Sequence, residues 1–392
     1  MNRRMWGEER RAMPVVVGVD VGSVGVRVVV TTLEEGPRPY SYAAAPKAAA
    51  MPRTLRVLGV GEAPTRGMRR GSLLDPQAVG ESLREAVREA EAVAGHRVLR
   101  ASLAVPLTLF ETAGGGVRVT LPTLASVRAT THPHSPYAAA WDEAAAVAGI
   151  AWADVLPSAV AAVASTVLHE EQAAGVALVE CGAEQTSVAI VADAGVQRVV
   201  CLPVGGDHIT RDLATLLGVR PAEAERLKLL VGNIRNPAHT ELVTRGADGS
   251  RKTVAVALVV AIIAARVEQI MGRVAEVIRP AQGREIRAAR GANVQSVVLC
   301  GGGSALSGMA HVARGSLGLP VRVAGPWGIV GTPEAQVPGY AAALGTVRWW
   351  EAAQAARIAG LRPAPGREER ARQGADAAAQ GRLQSWLREF LP

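Results

Sequence analysis

The apolar and polar positions of the chain alternate between strand and helix periods, which predicts a mixed α/β protein. Apolar runs on both sides of a glycine turn in GVDVGSVGVRVVV (18–30) predict a β-hairpin, and residues 55–61 predict a further strand. Residues 75–94 have the period of a helix with one apolar face. Asp75 and Pro76 suit the N-cap and first position of that helix.

The same order of elements begins again in the second half of the chain. The pattern predicts strands at 175–179, 187–191, 197–202 and 297–299, with helices at 209–217, from 221 and at 254–279. Each half carries an acidic residue and a glycine at its first turn, DVG (20–22) and ECG (180–182). This indicates an internal duplication of two α/β lobes. Two facing glycine turns can cradle a phosphate chain with their N–H groups, while the acidic side chains position a metal and water.

Size and composition narrow the class of protein. A chain of 392 residues, 49% hydrophobic, predicts two or more lobes with real cores. The net charge of +8 favours anionic partners, but the arginines are scattered and no nucleic-acid motif appears, so we expect no nucleic-acid binding. Cys181, Cys201 and Cys300 have no C-x-x-C spacing, so we expect reduced, buried thiols and no metal centre. The apolar run 254–265 is too short to span a bilayer, and residues 1–13 lack the apolar region of a signal peptide.

Several motifs resemble known proteins. The segments resembling the nucleotide loops of the actin/Hsp70 superfamily are GVDVGSVGVRVVV (18–30), VECGAEQTSVAIV (179–191) and VVLCGGGSALSGM (297–309). Those similar to the FtsA cell-division family are GVGEAPTRGMRRGSLLDPQAV (59–79), PVGGDHITRDLA (203–214), AEAERLKLLVG (222–232) and GRLQSWLREFLP (381–392). By these motifs, taken in this order, the chain is identified as a divergent member of that family.

The resemblance implies an actin-like ATPase fold, with two duplicated α/β lobes around a nucleotide cleft. The implied domains are an extension (1–13), lobe 1 (14–174) with the remnant of a family-specific insertion (106–125), lobe 2 (175–350) with an FtsZ-facing subdomain (220–295), a linker (351–380) and a membrane-targeting helix (381–392). It also implies a scaffold on the cytoplasmic face of the membrane at the division site. Its implied partners are FtsZ, anionic lipids and further copies of itself, and its implied cofactors are ATP and Mg²⁺.

The family's nucleotide-binding positions carry over onto residues of all the motifs. They are Asp20, Gly22, Ser23, Gly182, Thr186, Gly205, Gly206, Asp207, Glu225, Lys228, Gly301, Gly302, Gly303 and Leu306. If the chain hydrolyses ATP, Asp20 and Glu180 hold the metal and water positions.

The sequence departs from the family in ways that predict slow or absent hydrolysis. The second phosphate loop of the family is close to D-I-G-G-G-T-T-D, whereas this chain has ECGAEQTS (180–187). Ala183 and Glu184 replace glycines that let backbone N–H groups approach a phosphate. If the Glu184 side chain points inward, its repulsion of a phosphate ~4 Å away is on the order of 4 kcal/mol at a dielectric of about 20. Gly25 stands where many relatives carry a basic residue. The insertion, limited to 106–125, is mostly absent.

The end of the chain predicts a helix that lies in the membrane surface. Its apolar face and flanking arginines are Leu383, Trp386, Leu387, Phe390, Leu391, Arg382 and Arg388. A helix of this kind that docks on the protein's own core would have the same pattern. Because the segment is short, we expect one copy to bind weakly and self-association to add avidity.

Other residues have simpler interpretations. His132 and His134 favour a surface loop, and His208 favours a capping or packing role. The pair Trp349–Trp350 indicates core packing. The polar side of helix 254–279, with Arg266, Glu268, Gln269, Arg273 and Glu276, is either a solvated face or the surface that meets FtsZ. Two other functions stay open: a pilus-assembly protein similar to PilM, and a small-molecule kinase of the same fold.

Overall fold

The computed structural model describes residues 14–34, 54–106, 136–192, 195–231, 240–279 and 294–358. The elements of the first half are β1 (Val15–Val21), β2 (Gly25–Glu34), β3 (Thr54–Pro64), β4 (Met68–Arg69), β5 (Ser72–Leu73), α1 (Pro76–Ala94), β6 (Arg100–Val105), α2 (Pro136–Ala148), β7 (Ala151–Pro157), α3 (Ser158–Thr166) and α4 (His169–Ala174). Those of the second half are β8 (Val176–Cys181), β9 (Thr186–Ala192), β10 (Gly195–Leu202), α5 (Gly206–Leu217), α6 (Pro221–Leu230), β11 (Glu241–Arg245), β12 (Arg251–Ala255), α7 (Val256–Ile278), β13 (Ser296–Cys300), α8 (Met309–Leu317), β14 (Val321–Val323), β15 (Ile329–Gly331) and α9 (Ala341–Ile358).

Two sheets of matching topology form the centres of the two lobes. The first has the order β15-β3-β2-β1-β6-β7 and the second the order β10-β9-β8-β13-β14. In each sheet the first three strands of that half are antiparallel, and two later strands add in parallel. The predicted duplication of α/β lobes is therefore confirmed.

Local sequence explains the longest helix of the first lobe. Asp75 caps α1 by accepting a hydrogen bond from the Ala78 N–H (3.1 Å), Pro76 occupies its first turn, and Gly95 ends it in a left-handed conformation. Two glycines of β3 let α1 lie directly on the sheet. A Cβ on Gly61 would be 2.0 Å from the Ala86 carbonyl oxygen, so any larger residue would force the helix away.

Two helices cross over between the lobes. Although α3 follows the strands of the first lobe, it packs on β8, β9, β10 and β13 of the second. Conversely, α9 packs on β1, β2 and β6, and β15 pairs with β3 at the edge of the first sheet. The lobe boundaries 14–174 and 175–350 stay a prediction, and each sheet is covered in part by a helix from the other half.

The crossing of α3 and α9 joins the two lobes beneath the space between them. A Cβ on Gly345 would be 1.8 Å from the Ala161 carbonyl oxygen, so the two helix backbones touch. Trp349 is buried in the core that both lobes share, and Trp350 packs beside the first sheet. The prediction of core packing for these tryptophans is confirmed.

The structure corrects two element boundaries. The long helix predicted at 254–279 begins only at Val256, because Val254 and Ala255 pair with Leu242 and Glu241 in the β11–β12 hairpin. Residues 351–358 of the predicted linker are the end of α9. The rest of that linker, the membrane helix 381–392, the extension 1–13 and nearly all of the insertion remnant 106–125 lie outside the described residues. Among the described residues, no helix has the length and apolar character needed to cross a bilayer.

Candidate functional site

The two glycine turns predicted from the duplication have the same geometry. In the turn after β1, the Gly22 N–H donates to the Gly25 carbonyl (3.0 Å). In the turn after β8, the Gly182 N–H donates to the Gln185 carbonyl (2.9 Å). These turns, here called loop 1 (22–24) and loop 2 (182–185), both line one cleft between the lobes.

That cleft has a volume of about 910 Å³, within the range of roughly 300–1,000 Å³ typical of small-molecule sites. All of the predicted nucleotide-binding residues line it, together with Glu180. They are Asp20, Gly22, Ser23, Gly182, Thr186, Gly205, Gly206, Asp207, Glu225, Lys228, Gly301, Gly302, Gly303 and Leu306. Residues that are far apart in the sequence are thus brought to a single site.

Loop 2 is joined to the start of α5 by backbone hydrogen bonds. The Gly206 N–H donates to the Gly182 carbonyl (3.0 Å), and the Asp207 N–H donates to the Ala183 carbonyl (2.7 Å). A Cβ on Gly205 would be 2.5 Å from the Gly182 carbonyl oxygen, so a larger residue would push the loop away from the helix. His208 caps the same turn, since its Nδ1 accepts from the Gly205 N–H (3.2 Å), which confirms the predicted capping role.

Two acidic residues lie at the floor of the cleft, at the ends of β1 and β8. Burial raises the pKa of Asp20 to about 6, although the nearby Arg27 charge opposes this shift. Burial raises the pKa of Glu180 further, to about 8, and the Asp20 charge adds to the shift. Ser158, the first residue of α3, donates a hydrogen bond to Glu180 Oε2 (2.7 Å). At neutral pH the pair therefore carries less than two negative charges.

Arg27 is a cleft residue that the sequence analysis missed. It stands opposite Asp20 in the β1–β2 register and lines the cleft. Its Nε donates to Glu62 Oε1 (2.9 Å), and its guanidinium lies 5.8 Å from the centre of the Tyr340 ring. Arg27 therefore places a positive charge at the floor of the cleft. Position 25, where many relatives carry a basic residue, is a glycine in this chain. The signal was available, because a lone arginine interrupts the otherwise apolar alternation of β2.

A polar cluster between α5 and α6 forms another wall of the cleft. Lys228 Nζ pairs with Glu225 Oε2 (2.7 Å) and donates to Thr210 Oγ1 (3.0 Å) and the Gly206 carbonyl (3.4 Å). Thr210 Oγ1 in turn donates to Glu225 Oε2 (2.5 Å). The cluster fixes the ammonium group of Lys228, whose side chain is 13% exposed, at the edge of the cleft.

Glu184 lines the cleft with both of its carboxylate oxygens near cationic or N–H partners, and the phosphate repulsion stays a prediction. Its Oε2 accepts a hydrogen bond from the Arg70 N–H of the first lobe, and its Oε1 lies 3.8 Å from Arg211 Nη2. Its neighbour Gln185 donates from Nε2 to the Arg70 carbonyl (2.9 Å). Both side chains of the altered loop 2 therefore reach the opposite lobe.

The remaining candidate residues are those of the α7 polar side and the three cysteines. Arg266 is not on a free polar face, because it makes a two-bond ion pair with Asp212 (2.6 and 2.7 Å). The rest of the proposed surface, Glu268, Gln269, Arg273 and Glu276, is exposed. Cys181 and Cys300 are buried, as predicted, Cys201 is partly buried, and none of these three described cysteines is in a disulfide. Within the described ranges, no cluster of histidine, cysteine and carboxylate side chains forms a metal site.

Some predicted residues cannot be placed. The residues of the membrane helix, Leu383, Trp386, Leu387, Phe390, Leu391, Arg382 and Arg388, lie outside the described part of the chain, as do His132 and His134.

Comparison with known proteins supports the resemblance drawn from the motifs. A family model described as "Cell division protein FtsA" matches residues 177–345. The FtsA protein of Agrobacterium fabrum is 29% identical over 189 residues, which is 46% of this chain and 41% of the relative. The chain thus spans about two fifths of the length of such relatives. The predicted resemblance to the FtsA family is confirmed.

Solved structures support the fold. A PilM–PilN type IV pilus biogenesis complex aligns with a TM-score of 0.58 at 16% identity, covering 86% of this chain and 98% of that one. MreB5 of Spiroplasma citri bound to ADP aligns with a TM-score of 0.56 at 13% identity, covering 88% and 98%. At these identities the likeness shows the fold alone, and that fold is the predicted actin-like ATPase fold.

Proposed function

We propose, on the premise that this chain resembles the FtsA family, that it is a cell-division scaffold that tethers FtsZ filaments to the cytoplasmic face of the membrane. The observation that carries the proposal is the match of the FtsA family model to residues 177–345. That segment includes α6, the β11–β12 hairpin and α7, the part predicted to face FtsZ. The structural likeness to PilM gives no equal support to a pilus function, because it concerns the fold alone.

The cleft fits ATP with Mg²⁺. Mg²⁺ prefers carboxylate oxygens together with phosphates, and Asp20 and Glu180 offer such oxygens at the floor. We expect loops 1 and 2 to cradle the phosphates and Arg27 to neutralise part of their charge. Glu225 and Lys228 would flank the ribose and purine, and the glycines at 301–303 would lie against the adenosine. When bound, Mg²⁺ would supply charge neutralisation at the terminal phosphate.

We expect nucleotide hydrolysis by this chain to be slow. Ala183 and Glu184 replace glycines of loop 2, and the Glu184 carboxylate is bound by the Arg70 N–H and by Arg211. Glu180 stands where the family has an aspartate, and its extra methylene would displace a metal-bound water. Binding without fast turnover suits a scaffold better than a kinase.

The nucleotide proposal is tested by Lys228→Met, which keeps the length of the side chain and removes the ammonium. We expect ATP affinity to fall roughly tenfold, because a hydrogen bond to a charged group typically contributes about 1.5–3 kcal/mol. Lys252→Met is the matched control, since Lys252 bonds to the Leu217 carbonyl outside the cleft. Fluorescent-nucleotide titration measures both. Equal ATP affinities for the two variants would contradict the role of Lys228 in nucleotide binding. In a separate assay, rapid phosphorylation of small acceptors would favour a kinase.

The tether proposal is tested by sedimenting preformed FtsZ filaments with the full chain. We expect the chain to pellet with FtsZ, and Arg273→Glu on the exposed side of α7 to weaken this several-fold. Arg88→Glu, an equally exposed helix arginine on α1, is the control and should pellet normally. If the unmodified chain stays in the supernatant at concentrations well above those of FtsZ, the tether proposal is wrong.

A further inference from the structure

The turn of the β4–β5 hairpin has a left-handed backbone conformation at an arginine, which no described residue of its own lobe explains. Arg70 and Gly71 form its two-residue turn, with φ of 49° and 75°. Such a turn usually has asparagine or aspartate before glycine, because a positive φ is costly for other side chains. In the described part of the chain, Arg70 is the one residue other than glycine with a positive φ.

The opposite lobe covers the tip of this hairpin. The Arg70 N–H donates to Glu184 Oε2, and the Arg70 carbonyl accepts from Gln185 Nε2 (2.9 Å). Both backbone polar groups of the strained residue are therefore bonded by loop 2 of the second lobe. Gly71 is buried although it lies at a hairpin tip, and a Cβ there would be 2.4 Å from Gln185 Oε1.

The two hydrogen bonds of this contact are made to the backbone of Arg70 and not to its side chain. The guanidinium of Arg70 takes no part in either bond, so the identity of that side chain is immaterial to it. On the second lobe the contact requires a carboxylate and a carboxamide, which Glu184 and Gln185 supply. The nearby Arg211 holds Glu184 Oε1 at 3.8 Å and orients the carboxylate.

We propose that Glu184 and Gln185 form an inter-lobe clasp, which holds loop 2 of the second lobe to the tip of the β4–β5 hairpin of the first. The lobes are joined beneath the cleft by the α3–α9 crossing, and the clasp adds a second joint above it. With both joints in place the lobes can separate only when the clasp opens. The altered loop 2 thus holds the lobes together through the protein's own side chains, where a bound phosphate chain would otherwise bridge them.

The test compares the nucleotide-free full chain with Glu184→Ala/Gln185→Ala. Hydrogen exchange of the peptide 67–74 reports the clasp, and small-angle X-ray scattering reports the separation of the lobes. We expect exchange at least about tenfold faster in the variant, since two hydrogen bonds are lost, together with a larger radius of gyration. Unchanged exchange in α1 and β13 shows that both lobes remain folded.

Two glycine substitutions give an independent test from the first lobe. Gly71→Ala should open the clasp as well, because the added Cβ displaces the Gln185 carboxamide. Gly95→Ala is matched to it, with φ of 65° and no neighbour within 4 Å, and should leave exchange of 67–74 unchanged. Arg70→Gly should leave the hydrogen exchange of 67–74 as slow as in the unmodified chain, because the clasp binds only the backbone of residue 70.

Two results would overturn the clasp. One is equal exchange of 67–74 in the unmodified chain and the double variant. The other is faster exchange without any change in the radius of gyration, which would reduce the contact to a local one that does not hold the lobes. Neither result depends on FtsZ or on lipid, so the clasp and the tether proposal can fail separately.

Discussion

The charge at the floor of the cleft is decided by a few buried atoms. Asp20 and Glu180 come from two different sheets, burial raises the pKa of both, and the Asp20 charge raises the pKa of Glu180 further. The Ser158 hydroxyl and the Arg27 guanidinium oppose this by favouring the charged forms. The outcome is a proton held on Glu180 at neutral pH, which links the protonation of the cleft to the stability of the protein.

Glu180→Gln should change how stability depends on pH. Because the pKa of Glu180 is raised from 4.5 to about 8 on folding, the folded state binds this proton more tightly than the unfolded state. The stabilisation is complete below pH 4.5 and is lost as the pH rises toward 8, by up to about 1.4 kcal/mol per pH unit. The free energy of unfolding, measured with urea between pH 5 and 8.5, should therefore fall less with rising pH in the variant than in the unmodified chain.

The control for this experiment is Glu143→Gln, at an exposed position of α2. It should lose stability with rising pH as the unmodified chain does. A Glu180→Gln profile parallel to both would mean that Glu180 is ionised in the folded protein at neutral pH.

For single residues, the sequence predicted which side chains lie in the cleft better than it predicted their contacts. Glycines and acidic residues at turns could be assigned from motifs, since the backbone there has few alternatives. The partners of Glu184 could not, because Arg70 lies in another lobe and no spacing rule connects the two. Arg27 was missed for a different reason: the motif directed attention to Gly25, while strand alternation carries the next inward side chain to position 27.

Among the elements, the closest approach is the crossing of α3 and α9, which depends on a glycine. Helix backbones in direct contact leave no room for a methyl group, and Gly345 against the Ala161 carbonyl is such a place. Gly18 of β1 is similarly close, since a Cβ there would be 2.1 Å from the Ala343 carbonyl oxygen. The joint between the lobes is therefore sensitive to single methyl groups.

Gly345→Ala should destabilise the protein by about 1–3 kcal/mol, the usual range for overpacking a buried contact. Gly272→Ala in α7 is the matched control. It adds the same methyl to a helical glycine with nothing within 4 Å, and should raise stability by about 0.5–1 kcal/mol. Thermal unfolding of both variants distinguishes the two. A Gly345→Ala protein as stable as the control would show that the crossing is loosely packed.

Elements with caps and clear periods were predicted well, and those defined by distant pairing were not. The N-cap of α1 is a local signal, and that prediction is confirmed. The start of α7 was predicted two residues too early, because pairing of Val254 with Leu242 extends β12 into an apolar run that suits either structure. The short strand β15 exists only because it meets β3, which is remote in sequence.

For the whole molecule, the duplication could be predicted, whereas the exchange of helices could not. Repeated turns and strand runs reveal two α/β units in the sequence. Which sheet a helix covers depends on the path of the chain in space, and no sequence pattern predicted that α3 and α9 each pack on strands of the other half. The result is a molecule whose halves share one buried core beneath the cleft. A ligand, a clasp or a partner that moves one lobe must therefore act through that joint.

The most direct test of the tether proposal is co-pelleting of FtsZ with anionic phosphatidylglycerol vesicles. The full chain and a variant ending at residue 380 are compared at equal concentration. The account predicts that FtsZ pellets with vesicles only in the presence of the full chain, because we expect the segment 381–392 to bind the scaffold to lipid. FtsZ that remains in the supernatant with the full chain, or pellets equally with the shortened one, would contradict it.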